Sequence, residues 1–167
     1  MKIFSVVGAR PNFIKIAPLN KEFSRYSQRV NHKVIHTGQH FDEKMSKVFF
    51  NDLNLPESDF YLAVGSGSHA VQTAKIMIEF EKVLLDEKPD LIIVVGDVNS
   101  TIACSIVASK LNIKIAHVEA GLRSFDCTMP EEINRMVTDT LSDFLFVSEE
   151  SGLENLKREG ISDSKVF

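Results

Sequence analysis

Leu91-Ile92-Ile93-Val94-Val95, running straight into Gly96-Asp97-Val98-Asn99-Ser100-Thr101, carries the information that settles the fold. Every position of LIIVV is apolar, whereas a strand with one wet face alternates. Burial on both faces by flanking helices produces such a run, and it belongs to a parallel sheet. Working outward, short apolar runs recur at 3–7, 34–36, 60–64, 113–118 and 144–147, which with 91–95 makes six expected strands. Between them 12–25, 41–53, 70–86, 100–111, 131–141 and 151–159 read as helices. Their apolar residues fall at three-and-four spacing, as in Val71, Ala74 and Ile78, or Ile102, Ile106 and Val107. Strand and helix alternate throughout, and right-handed crossovers then give a doubly wound, Rossmann-like α/β domain with three αβα layers around a parallel sheet. No Ser/Gly-rich linker divides the chain, so one domain is expected over 1–167, with 164–167 reading as the opening of a further strand after a helix closed by Gly160.

The 167 residues suffice to bury roughly two thirds of the unfolded surface. Hydrophobic residues at 44% and charged residues at 25% exclude a disordered or fibrous chain. With 19 basic and 23 acidic residues the formal charge is -4, which gives no whole-chain support to nucleic-acid or anionic-membrane binding. An anionic ligand must therefore meet a local basic site. No apolar run reaches the ~18 residues that span a bilayer, and nothing reads as a targeting segment. Cys104 and Cys127 stand in no CxxC or Cys/His ligand spacing, so neither a disulfide framework nor structural zinc is expected, and a reducing cytoplasm fits. His36, His40, His69 and His117 share no helix at ligand spacing, so no metal is expected.

In open parallel sheets ligands bind beyond the carboxyl ends of the strands, which directs attention to the residues just after each run. Gly8-Ala9-Arg10-Pro11 follows the first, where Gly8 permits a bend and Pro11 suits a helix start. Arg10 is thereby presented beside backbone N–H groups, an arrangement that suits an anion, and Lys15 lies about a turn further on. Thr37-Gly38-Gln39-His40 follows the second run, and His40 with Gln39 is a candidate for ligand contact. Gly65-Ser66-Gly67-Ser68-His69 follows the third and reads as a turn into a helix; GxGxxG is absent after the first run, so no dinucleotide cofactor is implied. Asp97 and Glu119 follow the fourth and fifth runs, and a doubly wound order would bring both carboxylates toward Arg10. Closely placed carboxylates can titrate apart and so supply an acid and a base. The alternative for Asp97 is a helix cap, a role Ser100 can also fill, and for Glu119 a surface loop acid. Glu131 and Arg135 are four apart on one helical face, where they can simply pair.

Taken together, GARPNFIKIAPL at 8–19, TGQHFDEKM at 37–45, GDVNST at 96–101 and HVEAGLRSFDCTMPEEINR at 117–135 resemble the non-hydrolysing UDP-N-acetylglucosamine 2-epimerase family. The resemblance runs over essentially the whole chain. It implies the N-terminal half of a GT-B fold, with the C-terminal domain outside this chain and the isolated half inactive. It implies interconversion of UDP-N-acetylglucosamine and UDP-N-acetylmannosamine for cell-surface polysaccharide precursors, by elimination and re-addition of UDP without a cofactor. It assigns substrate contacts to Arg10, Lys15, Asp97, Glu119 and Arg135, acid-base or structural roles to Asp97, Glu119 and Glu131, and an allosteric UDP-sugar region to Gln39 and His40. It also implies a homodimer and the need for the second domain or a companion chain. GARPN and GSGSH suit relatives that epimerise other UDP-2-acetamido sugars, diacetamido-uronates included. A hydrolysing 2-epimerase and a non-catalytic sugar-nucleotide-binding domain are the further alternatives.

Overall fold

The computed structural model describes residues 1–39 and 58–167, except for the side chain of Arg10. Six strands, β1 (Lys2–Val7), β2 (Asn31–His36), β3 (Phe60–Tyr61), β4 (Leu91–Val95), β5 (Lys114–Val118) and β6 (Phe144–Phe146), form one sheet in the order β3-β2-β1-β4-β5-β6. All pairs are parallel, with Ile3 opposite His32 and Leu91, and Ile93 opposite Ala116. The helices are α1 (Arg10–Arg25), α2 (His69–Glu87), α3 (Asn99–Lys110), α4 (Pro130–Leu141) and α5 (Glu150–Arg158). The expected helix at 41–53 lies outside the described residues.

Successive strand residues feed opposite cores, as double-sided burial requires. Phe4, Val6, Ile92 and Val94 pack with Ile76, Phe80 and Leu84 of α2 and with Ala103, Cys104 and Val107 of α3. Ile3, Val7, Ile93 and Val95 pack with Phe13 and Ile16 of α1. Strand order reverses between β1 and β4, so the loops after these two strands part and leave a crevice at the carboxyl edge.

Two expectations need correction. The buried stripe of α2 is Gln72, Ile76, Phe80 and Leu84, while Val71 and Ile78, two of the residues whose spacing marks the helix, are 48% and 56% exposed. The helix carries two apolar stripes, and periodicity has no means of choosing which one meets the sheet. At the chain end, Asp163–Lys165 form a 3-10 turn, and extended pairing begins only at Val166, which lies parallel to Leu145 of β6.

His36 ends β2 at 4% exposure, stacked on Tyr61 at 5.0 Å and packed by Phe13 at 5.2 Å. Burial disfavours its charged form and lowers its pKa from 6.5 to about 4. Between those values the unfolded chain holds a proton that the folded chain does not. Stability is therefore expected to fall as pH drops from 6.5 and to level off near 4, by about 3 kcal/mol in all. Urea titrations across this window check it, and His36→Phe should flatten that limb.

Candidate functional site

The loops that follow β1, β4 and β5 lie at the carboxyl edge of the sheet. The turn after β1 is shaped by Gly8: a Cβ there would stand 2.2 Å from Ser100 Oγ, so only glycine lets β1 approach the start of α3. Asn12, buried on the first turn of α1, accepts hydrogen bonds from the Gly8 and Ala9 amides at 3.0 and 2.9 Å. Its amide nitrogen donates to the Val95 carbonyl at 3.0 Å, tying the ends of β1 and β4 together. The Gly8 and Ala9 amides are thus occupied by Asn12 and are not left open to an anion, as the sequence suggests. The side chain of Arg10 and the whole of His40 lie outside the described residues.

Asp97 caps no helix. The N-cap of α3 is Val98, without a side-chain cap bond, and Ser100 N–H is capped from a distance by Gln39 Oε1 at 3.0 Å. Asp97 instead forms an ion pair with Arg135 of α4, and its backbone carbonyl accepts from Asn134 Nδ2 at 2.7 Å. Arg135 also reaches Glu132 at 3.2 Å, so the described ion pairs of Arg135 are with Asp97 and Glu132 and do not include Glu131.

Glu119 directly follows β5 with φ +69, a left-handed conformation that a non-glycine residue adopts at an energetic cost. Its amide and that of Ala120 both donate to the Phe146 carbonyl at 3.1 Å, which holds this conformation. The carboxylate is thereby turned to form an ion pair with Lys15 on α1. It also lies over the neighbouring turn, since a Cβ on Gly96 would stand 3.4 Å from Glu119 Oε2. Lys15 with Glu119 and Arg135 with Asp97 therefore lie at the carboxyl edge of β4 and β5, beside the point where strand order reverses. Each carboxylate faces its own cation and is about a quarter exposed, at 26% for both.

Next to this cluster is a hollow of about 300 Å³ lined by amide-bearing side chains, Gln39, Gln72, Asn99 and Asn134, with His69 and Glu131. Gln72 Nε2 donates to the carbonyls of Gln39 and Gly65 at 3.1 and 2.9 Å, and Asn99 Nδ2 donates to Gln72 Oε1 at 2.9 Å. Gln39 itself is 6% exposed and its side-chain oxygen also accepts from Ser100 Oγ at 2.6 Å, so this side chain organises the start of α3. Glu131 and its neighbour differ sharply. Glu131 faces the hollow, whereas Glu132 is 1% exposed and accepts from the Ser124 amide and hydroxyl and the Phe125 amide at 2.9, 3.0 and 3.0 Å. Burial pushes the Glu132 carboxyl up, but these donors and Arg135 outweigh it and leave its pKa below the ordinary range.

Asn12, Gln72, Asn99 and Glu132 escape the sequence reading because they carry polar atoms at inward helix positions. A usable signal exists for the acids: Glu132 and Asp139 are seven apart on α4 and share its inward face with Thr138. Among the described residues, no three His, Cys, Asp or Glu side chains group as a metal site, and no helix is long and apolar enough to cross a membrane.

Comparison with known proteins agrees over the whole chain. The family model described as UDP-N-acetylglucosamine 2-epimerase matches residues 22–167. A UDP-N-acetylglucosamine 2-epimerase homolog of Methanococcus maripaludis is 56% identical over 167 residues, covering 100% of this chain and 46% of the relative. The UDP-2,3-diacetamido-2,3-dideoxy-D-glucuronate 2-epimerase of Pseudomonas aeruginosa is 48% identical over 160 residues, 96% of this chain and 45% of the relative. Among solved structures, Methanocaldococcus jannaschii UDP-GlcNAc 2-epimerase in complex with UDP-GlcNAc and UDP superposes with a TM-score of 0.96 at 50% identity, covering 100% of this chain and 46% of that one. The chain spans about half the length of the curated relatives it matches.

Proposed function

Because this chain belongs to the UDP-N-acetylglucosamine 2-epimerase family, we propose that it forms the N-terminal half of an isomerase that interconverts UDP-N-acetylglucosamine and UDP-N-acetylmannosamine. The observation that carries this reading is the position of Asp97 and Glu119, each with a cation, at the carboxyl edge beside the switch point between β1 and β4. Inversion at C2 requires a base to take the C2 proton while the C1–O bond breaks and its electron pair leaves with UDP. UDP then adds back to the 2-acetamidoglucal as a proton is returned to the opposite face of C2. Asp97, Glu119 and Glu131 are the rim carboxyl groups available for these transfers. Lys15 and Arg135, with Arg10, suit the charge that develops on the departing diphosphate. Gln39 and His40 belong to the region where a second UDP-sugar would act as activator, and the amide-lined hollow suits the neutral hydroxyl and acetamido groups of a sugar.

In this reading residues 1–167 supply one wall of a GT-B cleft and a second domain supplies the other, so the isolated chain should turn over no substrate. We read the enzyme as cytoplasmic and as acting on a path to polysaccharide precursors. It is read as a homodimer, for which the outward stripe of Val71, Ile78 and Leu85 on α2 offers an apolar face. The test is incubation of the two-domain enzyme with UDP-N-acetylglucosamine in D₂O. UDP-N-acetylmannosamine deuterated at C2 is the expected product, and none should form with residues 1–167 alone. Free N-acetylmannosamine plus UDP would assign the hydrolysing reaction, and no conversion a binding domain. The 48% identity to the diacetamido-glucuronate enzyme favours a second reading, tested by offering that UDP-sugar in competition.

A further inference from the structure

Beneath the crevice a chain of ionisable side chains runs from the β4 turn to the end of α5, and the mechanism above does not use it. His117 on β5 and Asp139 on α4 are 0% and 1% exposed. His117 Nε2 lies 2.8 Å from the Gly96 carbonyl and Nδ1 lies 2.6 Å from Asp139 Oδ1. A carbonyl oxygen only accepts, so Nε2 carries a hydrogen. Asp139 Oδ2 is already surrounded by donors, the Gly121 amide at 3.0 Å and Arg123 at 2.8 Å. Burial pushes the Asp139 carboxyl up, but the bonds from His117 and Arg123 outweigh it and hold its pKa below the ordinary range. The Asp139 carboxyl is thus held by the ring, the Gly121 amide and Arg123 together. Arg123, whose side chain is 2% exposed, closes the chain with Glu159 through contacts of 2.7 and 2.6 Å. Arg123 and Asp139 neutralise each other, which is what makes the burial of both tolerable.

The backbone groups that His117 and Asp139 hold are those that place the site carboxylates. Gly96 precedes Asp97, and Gly121 follows Glu119 by two residues in a turn with both φ values in the left-handed region, +69 and +81. We propose that the His117–Asp139 pair is a positioning device: the ring, through its Nε2 hydrogen, holds the Gly96 carbonyl, Asp139 holds the Gly121 amide, and together they set Asp97 and Glu119 in register before any ligand arrives. The functional half of this statement rests on the reading of Asp97 and Glu119 as the reacting acids; the structural half does not.

The test accordingly has separate arms. In residues 1–167 labelled with ¹⁵N-histidine, Nε2 of His117 should carry a hydrogen bonded to the Gly96 carbonyl, and in Asp139→Asn this bond should loosen. A bare Nε2 in the unmodified chain overturns the proposal. In the same variant, amide exchange at Gly96, Glu119 and Gly121 should accelerate by about tenfold or more relative to β1 amides. Uniform acceleration across the sheet would mean a merely structural role and would also overturn it. In the two-domain enzyme, Asp139→Asn and His117→Gln should lower kcat by roughly 10²-fold with KM nearly unchanged. Unchanged kcat in either folded variant rejects the positioning role. A parent enzyme without epimerase activity rejects the functional reading alone, because the ring and exchange measurements still decide the pair.

Discussion

Gly121→Ala should destabilise the domain by about 3 kcal/mol, adding the roughly 1–2 kcal/mol for a side chain in a left-handed conformation to the 1–3 typical of overpacking. Gly121 has φ +81, and a Cβ there would stand 2.5 Å from the Gly152 carbonyl oxygen and 2.8 Å from its carbon. Both atoms are backbone, so no rotamer change relieves the contact. Gly152 has little room to retreat, since its own Cβ position lies 2.7 Å from Val147 Cγ1. For domains of this size the loss corresponds to a melting temperature roughly 10 °C lower. Gly160→Ala is the internal control. Its φ is +78 but nothing lies within 4 Å of the added carbon, so only the backbone cost of roughly 1–2 kcal/mol should appear. Denaturant titrations of both variants separate contact from conformation; equal losses would show that the approach of α5 to the β5 turn is not tight.

Glu119→Gln should have the opposite profile, with activity removed and the fold kept. The Glu119–Lys15 pair is partly exposed, at 26% and 32%, and ion pairs of that kind contribute no more than about 1 kcal/mol to stability. The amide keeps the shape and the hydrogen bond but cannot carry a proton between C2 and solvent. Loss of an acid-base group costs typically 10²–10⁴ in rate, so turnover of the two-domain enzyme should drop by about that factor while its melting curve barely moves. Near-normal epimerisation by a folded Glu119→Gln enzyme would remove Glu119 from the chemistry and leave Asp97 and Glu131 as the candidates.

The contrast between these variants bears on what each part of the chain is for. The β5–α4 segment has Glu119 and Glu131 facing solvent at the crevice, while Glu132 and Asp139 are spent inside. Glu132 fixes Ser124 and Phe125, and Asp139 fixes Gly121, so the buried acids shape the loop that the exposed acids occupy. The unusual backbone at Glu119 is the visible strain of that arrangement, and it sits at the site and not in the core.

The uninterrupted apolar run at 91–95 and its counterparts determine by themselves that this is a parallel α/β sheet, because strand hydropathy is a local record of burial on both faces. Asp97 and Glu119 follow from strand ends and Lys15 from its place a turn into the first helix, whereas Glu131 and Arg135 are singled out by the family resemblance. Tertiary structure alone decided how they pair, Lys15 with Glu119 and Arg135 with Asp97, and which stripe of α2 turns inward. It alone separated Glu131 from Glu132 and joined His117, Asp139, Arg123 and Glu159 into one chain. The physical reason is that an apolar residue is buried by its own character, whereas a polar one is buried only when partners satisfy it. Those partners lie 22 residues away for His117 and Asp139, and 104 for Lys15 and Glu119, beyond the reach of any local pattern.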